Sequence, residues 1–287
     1  MKNFRIVGIL LILVIMGTLL DGCFRKGEND PFISFSSRKA RMSGLWNITE
    51  FTGDYLLKLN SGENRKILLS QSGASISETT EYINMSTETQ DSLMAGQDTT
   101  IEWKGKIIDA YFDIRADGTF DYAYEYTLTM NHSKEYPTGD SLVGIYAPTT
   151  HAFTLDSTMK RNYRVEYRGR WNFLGKIDGS KNKERVIFEI ENAAYVYNLA
   201  TTFTYDFAEV GLERERDTSY STQSLESQNY KYANGEFSIL WKLDKLKGAE
   251  ATMMRELDYI YTHALTGFVG YKTTKKGNEL IEMEQEK

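Results

Sequence analysis

The chain has 287 residues, of which 41% are hydrophobic, 13% aromatic and 26% charged. Its 34 Lys and Arg against 40 Asp and Glu give a net charge of −6. That balance disfavours a non-specific nucleic-acid binder, which needs a basic face. One Cys and three His exclude a disulfide scaffold and leave little for a zinc site.

Residues 1–22 predict a signal peptide. Lys2 and Arg5 form a positive start, and residues 6–20 are an apolar run. As a helix this run would span about 22 Å, which is short of the roughly 30 Å hydrocarbon core of a membrane. The pattern therefore favours a cleaved signal peptide over a transmembrane helix.

The apolar run ends in Leu20-Asp21-Gly22-Cys23, which resembles a bacterial lipobox. The resemblance implies that Cys23 becomes the mature N-terminus and carries acyl chains such as palmitate, which would anchor the protein to membrane lipid. Phe24 stands where enteric lipoproteins carry an inner-membrane retention signal, so we expect the outer membrane. Residues 23–42 would then be a lipidated tether. The alternative is a buried free Cys beside an uncleaved anchor.

From residue 43 onward, large apolar residues recur at every second position, which is the period of a half-buried strand. Further runs of this kind lie at residues 163–173, 195–207 and 237–243. The apolar phase shifts between Ile107 and Ile108, which predicts a β-bulge. The clearest run places Phe120, Tyr122, Tyr124, Tyr126, Leu128 and Met130 on one face, and three dipeptides predict turns between runs: Asp117-Gly118, Asp178-Gly179 and Asn234-Gly235.

Successive hairpins with one apolar face indicate an all-β fold, an antiparallel up-and-down meander over residues 43–287. Closing it into a barrel of about eight to ten strands would bury the aromatic face and remove the edges. Residues 70–100 are expected to be an exposed loop with one short strand near Tyr82, and residues 209–229 a solvated connection.

Two segments near the end of the chain are less regular. Residues 249–261 fit a helical face and an alternating strand, and we favour the strand. Residues 279–287 are charged, and we expect them to fray unless Leu280 and Ile281 dock against the core.

Several short motifs, taken in order, resemble the lipocalin-like lipoproteins of Bacteroidetes. Gly44-Leu45-Trp46 is similar to the Gly-x-Trp opening of lipocalin-like domains, and motifs at residues 117–120, 169–173 and 239–243 follow it. The resemblance covers about residues 43–245 of the chain. It implies that Trp46 is a structural plug at one end of the barrel, and it supplies no catalytic residue.

The aromatic face is the candidate ligand site. Its tyrosines could line a cup for a small apolar or amphipathic molecule, or they could form a packed core with hydroxyls near the rim. Two functions follow: a ligand-binding module, or a structural or interaction subunit of an envelope complex with a filled barrel. The tyrosines concerned are Tyr122, Tyr124, Tyr126, Tyr163, Tyr167, Tyr195, Tyr197 and Tyr205.

No catalytic motif stands out, so we expect no enzyme and no cofactor. His132, His151 and His263 do not show a metal-ligand spacing, so we expect no metal. Four tripeptides that begin with Asp and then Ser or Thr resemble the O-glycosylation pattern of Bacteroidetes periplasmic proteins. Their candidate acceptors are Ser92, Thr99, Ser141 and Ser157.

Overall fold

The computed structural model describes residues 37–59, 64–83, 100–136, 153–175, 184–207, 218–263 and 271–286. It shows an all-β protein with one short helix, α1 (Arg38–Met42). The strands are β1 (Gly44–Leu59), β2 (Asn64–Ser72), β3 (Ser75–Ile83), β4 (Thr100–Ile114), β5 (Thr119–Tyr136), β6 (Phe153–Phe173), β7 (Arg185–Phe207), β8 (Thr218–Lys231), β9 (Ser238–Lys247), β10 (Glu250–His263) and β11 (Tyr271–Gln285).

The strands form one antiparallel sheet whose two ends meet. Hydrogen bonds run from β1 in chain order to β7, then through β9, β10 and β11 back to β1, so that ten strands complete a ring. β8 lies outside this ring and is hydrogen bonded to β7. The expected all-β antiparallel meander is therefore confirmed.

The ring is narrower at the end where β1 begins, which we call the narrow end. There, residues 44–47 of β1 pair directly with residues 111–114 of β4. Farther along, residues 50–58 of β1 pair with β2 instead. The β2–β3 hairpin is thus inserted between β1 and β4, and it widens the ring away from the narrow end.

The Gly-x-Trp segment lies at the narrow end. Gly44 has a φ of 148°, and a Cβ there would overlap the side-chain amide of Gln285, which donates a 2.8 Å hydrogen bond to the Ser43 carbonyl. Two residues on, Trp46 is fully buried and its Nε1 donates a 2.8 Å hydrogen bond to the Met42 carbonyl at the end of α1. This hydrogen bond links α1 to the narrow end of the ring.

The β4–β5 turn confirms the hairpin predicted from Asp117-Gly118. Gly118 has a φ of 95°, which favours glycine, and Asp117 Oδ1 accepts a 2.9 Å hydrogen bond from the Thr119 amide. The predicted bulge in β4 is also confirmed, because the pairing with β5 shifts between Ile107 and Asp109.

The interior holds the aromatic face, as alternation predicts. In β5, Phe120, Tyr124 and Leu128 are at most 4% exposed, and residues at the intervening positions 121, 125 and 129 are only partly buried. The strand that alternation favours at residues 249–261 is confirmed as the greater part of β10. The tail does dock: β11 pairs with both β1 and β10, and Ile281 is 1% exposed.

Three expectations differ from the structure. The strand near Tyr82 exists, but it is the whole of β3, so a loop beginning at residue 70 is wrong. Its inward positions include the polar residues Glu78 and Thr80, so the sequence shows no alternation of apolar residues there. Residues 218–229 of the expected connection form most of β8, whose side chains from 221 to 231 are exposed, so no apolar face marks it. The last residues of the expected tether, 38–42, form α1 instead, and Met42 is buried there.

Candidate ligand-binding site

An interior cavity of about 830 Å³ lies within the ring. Volumes of this size are typical of sites for small molecules. Every strand except β8 contributes to the ring around it, and most of the lining is aromatic or aliphatic. Six of the predicted tyrosines line it: Tyr122, Tyr124, Tyr126, Tyr163, Tyr167 and Tyr195.

Packed aromatic rings form the cavity wall towards the narrow end. Phe188 contacts Phe112 at 5.3 Å and Phe120 at 4.8 Å between ring centroids, and all three line the cavity. Tyr122 stacks on Tyr167 at 5.5 Å with nearly parallel rings. Such pairs add stability beyond the area they bury, so this part of the cavity is a wall of packed aromatic rings.

Several tyrosine hydroxyls in the interior have protein partners. Tyr124 donates a 2.8 Å hydrogen bond to the side-chain oxygen of Gln71, whose amide nitrogen donates at 2.8 Å to the Ile48 carbonyl. Tyr195 donates a 3.0 Å hydrogen bond to the hydroxyl of Tyr167. Burial raises the pKa of both Tyr124 and Tyr167, because desolvation disfavours the phenolate. These hydroxyls are therefore neutral near pH 7.

Among the described residues, two carboxylates line the cavity, and each is paired with an arginine. Glu78 accepts a 2.7 Å hydrogen bond from Arg161, whose guanidinium lies 4.0 Å from the centre of the Trp103 ring. Glu279 is paired with Nε of Arg255. Buried ion pairs of this kind need such hydrogen bonds to offset their desolvation.

Lys275 also lines the cavity, and it lacks a comparable partner. Its Nζ lies 3.7 Å from the centre of the Tyr55 ring. Among the described residues, no carboxylate lies within ion-pair distance of it, although Glu279 acts on it from farther away. Burial lowers the pKa of Lys275, and Arg255 lowers it further, whereas the carboxylates of Glu279 and Glu78 raise it in part.

Beside the cavity, the strand that pairs with β7 changes from β8 to β9. β9 pairs with residues 185–189 of β7, and β8 pairs with the rest of it from residue 192. In β10, residues 250–254 pair with β9. Within the described part of the chain, residues 255–263 have β11 as their only partner strand. The side of the cavity between β8 and β10 is thus not closed by strand pairing.

Aromatic side chains connect the cavity to this unpaired side. Tyr167 contacts Tyr195 at 5.9 Å, and Tyr195 contacts Tyr230 of β8 at 6.0 Å. Tyr230 is 42% exposed, while Phe237, in the β8–β9 connection, contacts Tyr167 at 6.2 Å and lines the cavity. A series of rings therefore runs from the interior to the surface.

The other predicted site residues are not part of the cavity. Tyr197 is half-buried in β7 but does not line it. Ser157 is 2% exposed, and its hydroxyl donates a 3.5 Å hydrogen bond to the His132 carbonyl, a poor position for a glycan acceptor in the folded chain. The side chain of Tyr205 lies outside the described part of the structure, as do Cys23, Ser92, Thr99 and Ser141 in full.

Sequence reasoning missed the charged residues of the interior. Lys275 and Glu279 share their strand face with the buried Ile281 and Met283. Arg255 likewise lies on the same face of β10 as the buried Ala251 and Met253. The signal that could have found them is a charged residue in phase with an apolar strand face.

Comparisons with protein families, with curated proteins and with solved structures found no match for this chain. Among the described residues, no group of three His, Cys, Asp or Glu side chains could hold a metal ion. No helix in the same part of the chain is long and apolar enough to cross a membrane.

Proposed function

We propose that this protein is a lipid-anchored binding module that holds a small apolar or amphipathic molecule inside a lipocalin-like barrel. The cavity of about 830 Å³ is the observation that carries the proposal. A ring filled by its own side chains would leave no such volume, so the cavity favours a binding module over a structural subunit with a filled interior.

The finer description of the fold belongs to the same proposal. Gly44 begins the first strand, and Trp46 is fully buried at the narrow end, which agrees with the plug that the Gly-x-Trp resemblance implies. The ring narrows at that end and holds the cavity beyond it. These features support a lipocalin-like barrel, and Leu20-Asp21-Gly22-Cys23 supports its attachment to the outer membrane.

A cavity-filling substitution tests the binding function. Ile239 lines the cavity, whereas the next residue, Leu240, points outward and is 44% exposed. Nile red, a neutral apolar dye, should bind the purified protein with one dye per chain. Ile239→Trp should weaken this binding at least about tenfold by occupying the cavity, and Leu240→Trp should leave it unchanged. Equal binding by both variants would show that the dye does not enter the cavity.

A second function, as an interaction subunit of an envelope complex, is favoured by β8. This strand is paired only with β7 among the described strands, and its side chains from 221 to 231 are exposed, with Leu225 at 65%. An unpaired edge can accept an extended segment of a partner protein as an added strand. Crosslinking in the native membrane, compared between the wild type and Leu225→Pro, would test it.

A further inference from the structure

From the distribution of charge in the cavity, we infer that the ligand is a single-chain amphiphile with an anionic head group, and that Lys275 and Arg255 bind this head group. The inference rests on the proposed binding function and specifies the class of ligand. It begins from the four charged side chains that line the cavity among the described residues, which are Glu78, Glu279, Arg255 and Lys275.

The two carboxylates are already satisfied by arginines. Glu78 binds Arg161 and also accepts a 3.0 Å hydrogen bond from the Thr80 hydroxyl. Glu279 binds Arg255 on one side and accepts a 2.9 Å hydrogen bond from Tyr55 on the other. Once these two ion pairs have formed, the ammonium of Lys275 remains. No described carboxylate lies close enough to it to form an ion pair.

An unbalanced cation in a partly buried position is costly unless an anion joins it. The ring of Tyr55 offsets a part of that cost through its contact with Lys275. This contact uses one side of the ammonium, which has further N–H donors for a ligand. A carboxylate or phosphate placed there would gain a charge-assisted hydrogen bond.

Arg255 can contribute to the same subsite. Its guanidinium lies 4.6 Å from the centre of the Trp241 ring and binds Glu279 through Nε. Its two terminal nitrogens have no hydrogen-bond acceptor among the described residues. Tyr55 connects the two cations, because its ring contacts Lys275 and its hydroxyl binds the Glu279 carboxylate that pairs with Arg255. The two cations therefore lie in the same region of the cavity.

The rest of the cavity suits an apolar chain. Phe112, Phe120 and Phe188 line it towards the narrow end, and none of the described residues that line it from β4 to β7 is charged. An amphiphile with its head at Lys275 would place its chain against these rings. A short anion without a chain would leave this apolar surface unfilled, so the geometry favours an amphiphile over a small anion.

The experiment measures displacement of Nile red by dodecanoate, dodecyl phosphate, dodecanol and acetate. The wild type should bind the two long-chain anions at least about tenfold more tightly than dodecanol. Acetate should compete far more weakly than dodecanoate. The preference for the anions should decline as the pH is raised through the pKa of Lys275.

Substitutions at two neighbouring lysines supply the matched comparison. Lys275→Met should remove most of the preference for the anions while dodecanol still binds, and Lys275→Arg should retain it. Lys276 lies on the outer face, paired with Asp258 at 3.0 Å, so Lys276→Met should behave as the wild type does.

The outcomes separate the two proposals. Binding of dodecanol and the anions with equal affinity would overturn the head-group subsite and leave the binding function standing. A loss of preference in Lys276→Met equal to that in Lys275→Met would also overturn it, as would acetate competing as well as dodecanoate. If neither Nile red nor any amphiphile binds, the binding function fails and the subsite falls with it.

Discussion

Tyr55 donates a hydrogen bond of 2.9 Å from its phenol to Oε1 of Glu279, across the paired strands β1 and β11. The other carboxylate oxygen of Glu279 is paired with Arg255 of β10. Glu279 is 6% exposed, so this carboxylate joins side chains of three neighbouring strands inside the ring. The arrangement stabilises the interior as long as every partner is present.

Glu279→Gln is expected to lower the free energy of unfolding by about 3 kcal/mol, because it leaves the guanidinium of Arg255 without its carboxylate in the interior. Urea unfolding followed by tryptophan fluorescence measures the change. Glu284→Gln, an exposed position on the same strand, is the control and should change stability by less than about 0.5 kcal/mol.

The double variant Arg255→Met with Glu279→Leu gives a sharper comparison. It replaces both charges by apolar groups of similar size, so it should lose less stability than Glu279→Gln alone. If the double variant were the less stable of the two, the loss could not be assigned to the unpaired charge of Arg255.

Lys275→Met should stabilise the ligand-free protein at neutral pH. Burial lowers the pKa of Lys275 in the folded state, so the unfolded chain binds its proton more readily and the charged lysine opposes folding. As the pH rises through the folded pKa and then the unfolded pKa of this lysine, the wild type loses that disadvantage. Urea unfolding at neutral and alkaline pH should show the gain shrinking, whereas Lys276→Met should show no such gain at either pH.

Apolar periodicity was enough to predict the strands whose inner face is uniformly apolar. In β5, Phe120 and Leu128 lie in the interior as alternation requires, and the turn at Gly118 follows from local backbone chemistry. β3 was only partly predicted, because its inward positions hold Glu78 and Thr80. The sequence alone does not show that the carboxylate of Glu78 meets Arg161 of a distant strand.

The candidate site was predicted only in its aromatic part. The period of two placed Tyr122 and Tyr167 on inner faces, and both line the cavity. Whether those rings pack together or surround a cavity depends on the width of the ring, which the insertion of the β2–β3 hairpin increases. That width comes from pairings between strands far apart in sequence, which local periodicity does not encode.

Cys23→Ser should abolish incorporation of a fatty-acid probe and block normal cleavage of the signal peptide. The prediction rests on Leu20-Asp21-Gly22-Cys23 at the end of the apolar run. Metabolic labelling with an alkyne-tagged palmitate, followed by mass spectrometry of the mature N-terminus, measures both effects. Ser43→Ala is the control and should be labelled and cleaved as the wild type is. A mature protein without lipid that begins at another residue would contradict the prediction.

Trp46→Ala should lower the free energy of unfolding by about 3–5 kcal/mol, the usual cost of truncating a buried Trp or Phe. Trp46 is fully buried, and the substitution also removes the hydrogen bond from its Nε1 to the Met42 carbonyl. Leu45→Ala is the matched control, because Leu45 is 37% exposed on the opposite face of β1, and it should cost below about 1 kcal/mol. Trp46 does not line the cavity, so Nile red should still bind the folded variant. A loss of dye binding with stability almost unchanged would instead make Trp46 a ligand contact and defeat its assignment as a plug.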